Sequence, residues 1–240
     1  MTVAPPRYPK HSLGCDGCRA GWLVVERKSQ ELSWRLESNI GDIVAASSAT
    51  LALIDMPIGL AESSSRDCDR AARQYLGKGF SSSVFPTPCR AALMAQTYPE
   101  ANALNRQWTG KGLSKQSWYL FEKIRQIDDC LQRSPQLRGR LREAHPEVCF
   151  QALNGKPLKH KKKTPEGAKE RLAILKKLNP SATALYREAL AHTLRKNVAA
   201  DDIIDALCLA LAPTYGKLHT LPEQPGLDSA GLAMEICYFA

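Results

Sequence analysis

No apolar run in this sequence approaches the roughly 20 residues that a membrane-spanning helix needs, so no spanning segment is expected. The first ten residues, Met-Thr-Val-Ala-Pro-Pro-Arg-Tyr-Pro-Lys, contain no apolar core of the kind a secretory signal carries. There is no internal repeat and no heptad pattern, which excludes a solenoid or a coiled coil. A Cys-x-x-Cys pair occurs once, at Cys15 and Cys18, and no second pair completes a zinc site. That pair falls in a strand and turn, whereas a thioredoxin-like redox pair needs a helix N-terminus. The eight cysteines lie mostly in apolar or helical settings, such as Val148-Cys149-Phe150 and Leu207-Cys208-Leu209. This usage reads as reduced, buried thiols in a soluble cytoplasmic protein. The expected organisation is a loose tail over residues 1–11 followed by one domain over residues 12–240.

What is present is acid in an unusual place. Residues 200–213 read as a helix in which Asp202 and Asp205, three apart, share a face, with Asp201 on a neighbouring edge. Ile203, Ile204, Leu207 and Leu211 form its apolar stripe. A solvated helix would follow such acids with lysines; this one continues into Leu-Cys-Leu-Ala-Leu-Ala. The helix is therefore expected to be mostly buried and to bring carboxylates with it. Clustered carboxylates repel one another and resist desolvation, and a divalent cation is the usual relief. The plainer reading is an exposed acidic first turn favoured by the helix dipole.

The remaining chain supplies possible companions. Asp16 stands between glycines in a first strand starting near Ser12; Trp22–Arg27 and Leu32–Glu37 complete a meander. Ile40–Ser47 reads as a short helix capped by Asn39. Leu51-Ala-Leu-Ile-Asp55 is a continuous apolar run, hence a buried and parallel strand with Asp55 at its tip, stopped by Pro57. No strand pattern follows for some 80 residues. Helices are expected over Asp67–Leu76, over Arg90–Gln107 with a break near Pro99, and over Ser114–Gln132. Ser81–Pro88 forms a rigid loop between the first two. A strand is expected at Glu147–Gln151, helices from Thr164 to Leu178 and over Ser181–Leu194, and a closing strand over Ala233–Tyr238. If the first and fourth strands are parallel neighbours, Asp16 and Asp55 lie side by side. A helix packed across them would then bring Asp202 and Asp205 over the pair. Four such carboxylates suit two divalent ions about 4 Å apart, which activate water and stabilise the leaving oxygen of a phosphodiester. All-oxygen ligands indicate Mg²⁺ or Mn²⁺.

These pieces carry a resemblance. The order strand-Asp, meander, helix, strand-acid, helices, Asp-x-x-Asp helix looks like the ribonuclease H-like superfamily. Asp202-Ile-Ile-Asp-Ala-Leu-Cys-Leu-Ala210 is similar to the terminal helix of RuvC-type Holliday-junction resolvases. More closely, five segments resemble a bacterial family of unknown function identified as predicted RNase H-like nucleases. They are Gly14-Cys-Asp-Gly-Cys-Arg-Ala-Gly-Trp22, Ile54-Asp-Met-Pro-Ile-Gly-Leu60, Ser83-Val-Phe-Pro-Thr-Pro88, His145-Pro-Glu-Val-Cys-Phe150 and Asp201-Asp-Ile-Ile-Asp-Ala206. The resemblance covers about residues 13–239. It implies an α/β domain with a ribonuclease H-like mixed five-stranded sheet flanked by helices, and a helical insertion, about residues 63–142, after the fourth strand. It implies that Asp16, Asp55, Asp202 and Asp205 are the metal ligands and catalytic residues. The second acid is usually Glu in the resolvases, and here it is the shorter Asp55.

Other candidates have two readings each. Glu147 is a further ligand or a group supporting one, or else a surface acid on an edge strand. His145 is a general base or a structural histidine before proline. Arg70, with Arg66, Arg73 and Lys78, binds phosphate or merely solvates its helix. Gln116 and Lys123 are weaker candidates, placed together by helical turn count. A formal charge of +9 favours a polyanion partner, and Lys159, Lys161, Lys162 and Lys163 are its expected contacts, the alternative being a wet loop. The leading expectation is a divalent-metal-dependent nuclease acting on DNA or RNA. A catalytically weak nucleic-acid-binding domain and a small-molecule phosphoesterase are the alternatives. An ATP-handling protein with two lobes of this topology is disfavoured, because 240 residues leave room for one lobe and no Gly-rich phosphate loop occurs.

Overall fold

A computed structural model describes residues 9–240. Most of the expected N-terminal tail lies outside the described residues. His11 already opens the first strand, one residue before the expected boundary at residue 12.

Strands β1 (His11–Cys18), β2 (Gly21–Lys28) and β3 (Glu31–Glu37) form the antiparallel meander. Helix α1 (Ile40–Ala46) is capped by Asn39, whose Oδ1 accepts from the Gly41 amide at 2.7 Å. Strand β4 (Leu51–Ile54) then pairs parallel with β1. Five helices follow: α2 (Asp67–Phe80, interrupted at Gly77), α3 (Arg90–Leu93), α4 (Tyr98–Thr109), α5 (Lys115–Tyr119) and α6 (Phe121–Arg133). Strand β5 (Leu141–Glu143) returns parallel to β4, giving the order β3-β2-β1-β4-β5. This is the mixed five-stranded, helix-flanked sheet of the ribonuclease H-like expectation, with its helices inserted after the fourth strand.

Helices α7 (Pro146–Asn154), α8 (Pro165–Leu178), α9 (Ala182–His192) and α10 (Ala200–Leu211) come next. Strands β6 (Leu218–Leu227) and β7 (Ala233–Phe239) form a separate antiparallel pair, joined to the main sheet through an Ala144–Cys237 bridge.

One expectation is corrected. The fifth strand is Leu141–Glu143, and Glu147–Gln151 is helix instead. Pro146 at the first helical position and Gly155 in the left-handed conformation just past the end are the helix punctuation, and they outweigh the β-rich Val-Cys-Phe run. The break expected near Pro99 is present: the segment divides before α4, which the Thr97 side chain caps.

The sheet separates two cores. Leu13, Cys15, Val24 and Ile54 face α1 and α6; Leu23, Val25 and Leu53 face α7, α8, α9 and α10. Alternation along a strand then settles where the acids go. Asp16 follows Cys15, and Asp55 follows Ile54, so both fall on the α10 side. The pairing Cys15–Ile54 sets them next to each other at the strand ends, and the Asp55 amide donates to the Cys15 carbonyl at 3.0 Å.

Candidate active site

Helix α10 reaches Asp16 because β1 lets it come close. A methyl group on Gly14 would lie 2.1 Å from the Ala206 carbonyl oxygen and 2.3 Å from the Ala210 amide nitrogen. Only a residue without a side chain permits that approach. One turn away, Ser12 Oγ donates to the Ala210 carbonyl at 2.8 Å, and the buried Arg27 Nε donates to Ser12 Oγ at 3.0 Å. These contacts fix the helix on the strand with Asp205 at the Asp16 end.

The four aspartates lie within electrostatic reach of one another there. Burial, then Asp55, Asp205 and Asp202, raise the Asp16 pKa well above the ordinary carboxylate range. Burial pushes Asp55 up to about 7, with Lys162 opposing the rise and Asp205 adding to it. Asp202 rises to about 6 through burial and its neighbours Asp201 and Asp205, although its Oδ2 accepts from the Ala199 amide at 2.8 Å. Asp205 is 1% exposed; its Oδ1 is buried without a hydrogen-bond partner. Its Oδ2 accepts from Lys162 Nζ at 2.6 Å, and the same ammonium lies 3.7 Å from Asp201 Oδ2. Burial opposes the charge on Lys162, yet Asp205, Asp55 and Asp16 hold its pKa above the usual lysine value.

Asp16, Asp55 and Asp202 line a cleft of about 680 Å³. Its other walls include Ser83, Phe85, Gln116, His145, Glu147 and Lys163. Glu147 is in the first turn of α7, not on an edge strand, and both its oxygens accept from Arg171 Nη2, at 2.6 and 2.7 Å. Arg171 is fully buried, so this pair is an internal brace on the cleft wall. His145 places Nε2 3.3 Å from the Ser83 carbonyl oxygen; Nδ1 is buried and unpartnered, and burial lowers its pKa.

The basic candidates divide. Lys159 and Lys163 are exposed. Lys161 turns back onto the protein, its ammonium bonded to the Gly79 carbonyl and 4.3 Å from the centre of the Phe80 ring. Lys162 points into the acids. Arg70 is exposed and paired with Asp67 at 2.7 Å. Arg66 is buried and bonds Glu143 and Asp69, and Arg73 holds the carbonyls of Val84 and Phe85, fixing the loop that forms part of the cleft. Lys123 binds the Gly21 carbonyl at 2.6 Å beneath Trp22, on a different helix from Gln116. Cys15 and Cys18 are buried free thiols.

The match to a family model spans residues 14–226, from the glycine under α10 past all four aspartates. The chain belongs to the family described as a protein of unknown function, DUF429. No curated protein and no solved structure matches it.

In kind, the donors fit a hard divalent cation. They are all carboxylate oxygens, they are short of positive charge, and one of them, Asp205 Oδ1, is buried with nothing to bind. Among the described residues no three His, Cys, Asp or Glu side chains already stand as a ligand set; the counter-charge in place is Lys162.

Proposed function

We propose that this DUF429 protein is a divalent-metal-dependent nuclease that hydrolyses phosphodiester bonds in nucleic acid. The observation that carries the reading is that Asp16, Asp55 and Asp202 line one cleft and feel the charge of Asp205 behind it, a buried side chain with one carboxylate oxygen left unpartnered. Asp16, Asp55, Asp202 and Asp205 would hold Mg²⁺ or Mn²⁺. Bound there, the ion supplies Lewis acidity and a more acidic water. The chain's own contribution is placement: β1 and β4 fix two carboxylates at adjacent strand ends, and α10 fixes two more above them. Glu147, braced by Arg171, keeps the cleft wall rigid. Lys163 and Lys159 add positive charge at the surface for a polyanion. The resemblance of the five segments to predicted RNase H-like nucleases supports the same chemistry. Eight free cysteines agree with a reducing, cytoplasmic setting, and no described helix is long and apolar enough to cross a membrane.

The size of the cleft favours a second reading, a small-molecule phosphoesterase, because about 680 Å³ falls within the range of small-ligand pockets. A panel of single-stranded and duplex DNA, RNA, hybrid, branched junction and a small phosphodiester, each with Mn²⁺ or with EDTA, separates the two. Cleavage of a polymer that requires Mn²⁺ and disappears in Asp16→Asn and Asp205→Asn is expected. Binding without any cleavage would leave a nucleic-acid-binding domain. Cleavage that survives in both variants would overturn the assignment of the site.

A further inference from the structure

Lys162 belongs to a run of three lysines expected to contact a polyanion or else to form a wet loop, and the structure fastens the backbone just before it. The amides of Lys159 and His160 donate to the Glu170 carboxylate at 3.0 Å each. The His160 carbonyl accepts from Arg171 Nη1 at 3.0 Å. The Lys161 carbonyl accepts from the Thr164 amide and hydroxyl, at 3.0 and 2.9 Å. The first turn of α8 presses so close that a methyl group on Gly167 would sit 2.0 Å from that same carbonyl oxygen. Lys161 is anchored on Phe80, one residue before Lys162.

A lysine that follows so fastened a backbone and whose ammonium is bonded to a buried carboxylate is not a wandering surface charge. Its side chain is 33% exposed, and its ammonium reaches two acids of α10. Asp205 is the informative partner. One of its oxygens is taken by the ammonium, and the other, in a side chain 1% exposed, is left free.

We infer that Lys162 is a fixed part of the cluster, occupying the place of one cation, so that the site takes a single divalent ion on the free side of Asp205 instead of a pair. The inference rests on the metal reading above and narrows it. The charges agree with it. Four aspartates need positive charge, and Glu147 is already neutralised by Arg171. One dication plus one ammonium supplies most of what is needed. Two dications would have to share the pocket with this ammonium, and they would contend with it for Asp205 Oδ2. An ammonium has three donors. With Asp205 served and Asp201 only within ion-pair distance, N–H groups are left for a phosphate oxygen, the part that a second metal would otherwise play.

The test is the number of Mn²⁺ ions bound by the whole chain, from calorimetric titration and from the electron paramagnetic signal of free Mn²⁺. One ion per wild-type chain is expected. Lys162→Met is expected to take up a second ion, or to bind the first about tenfold or more tightly, since a neighbouring positive charge has gone. Lys162→Arg is expected to keep one ion. Two ions in the wild type, or an unchanged count and affinity in Lys162→Met, would overturn the inference while leaving the metal site standing. No Mn²⁺ bound by the wild type would overturn both. If Lys162→Met does not fold, the wild-type count decides alone, with Lys162→Gln as the second variant.

Discussion

Gly14 and Ala206 touch backbone to backbone: the space where a Cβ on Gly14 would go lies 2.1 Å from the Ala206 carbonyl oxygen. The contact joins the first strand to the last long helix, and the carboxylates of Asp16 and Asp205 lie just beyond it. Gly14→Ala is therefore expected to push α10 outward. Overpacking of this kind costs about 1–3 kcal/mol and sometimes more. The urea midpoint should fall accordingly, and Mn²⁺ binding should weaken beyond what the stability loss explains. A variant of wild-type stability would show that the helix can slide without cost.

Asp16 is held among like charges, so removing its charge should help the metal-free fold. Asp16→Asn keeps the side-chain size. In EDTA near pH 7 it is expected to be more stable than wild type, by on the order of 1 kcal/mol, the size of an ordinary single-site effect. Millimolar Mn²⁺ should stabilise the wild type by linkage and do little for the variant. Thermal melts of both proteins, with and without Mn²⁺, check this. Lower stability of Asp16→Asn in EDTA, with equal gains from Mn²⁺, would make Asp16 a structural residue of its turn.

The sign of the pH dependence follows from Asp55, whose pKa is raised to about 7. The unfolded value is about 3.9. Between the two, the folded chain holds a proton that the unfolded chain has released. Stability from this group therefore falls as pH rises from about 4 to about 7 and levels off above that. Asp55→Asn removes the dependence. In EDTA, the variant's stability relative to wild type should increase across that window, by up to about 4 kcal/mol at pH 8. Urea midpoints at three pH values measure it. A constant difference would mean that Asp55 stays ionised throughout.

Lys163 is exposed at the cleft, and Lys161 is folded onto Phe80. Their effects on nucleic-acid binding should differ. Lys163→Gln is expected to flatten the slope of log affinity against log salt by about one unit, and Lys161→Gln to leave it nearly unchanged. Equal effects would mean that Lys161 leaves its perch when a polyanion arrives.

The acid positions were legible in the sequence because each sits at a punctuated end: Asp16 between glycines, Asp55 before Pro57, Asp202 and Asp205 before an unbroken apolar run. Parallel pairing of the first and fourth strands followed from the buried Leu-Ala-Leu-Ile run. The fifth strand was not legible, since Leu141–Glu143 is too short to show a period. Glu147 was misplaced because Val-Cys-Phe has strong β-propensity, and tertiary context overrides such preferences. Lys162 was hidden for a different reason. Three identical neighbours look alike in a sequence, and only the fastening of their loop by Glu170, Arg171 and Thr164 decides which one turns inward.

The contact of α10 on β1 also sets when the site can exist. Synthesis delivers Asp16 and Asp55 early and Asp205 late, with most of the chain in between. N-terminal segments emerge and fold first, yet no fragment that stops short of α10 contains the cluster. A chain still being translated, surrounded by ribosomal and messenger RNA, therefore carries only half of its carboxylates. The long route from Gly14 to Ala206 means that the cluster forms only once α10 has been made and packed on β1.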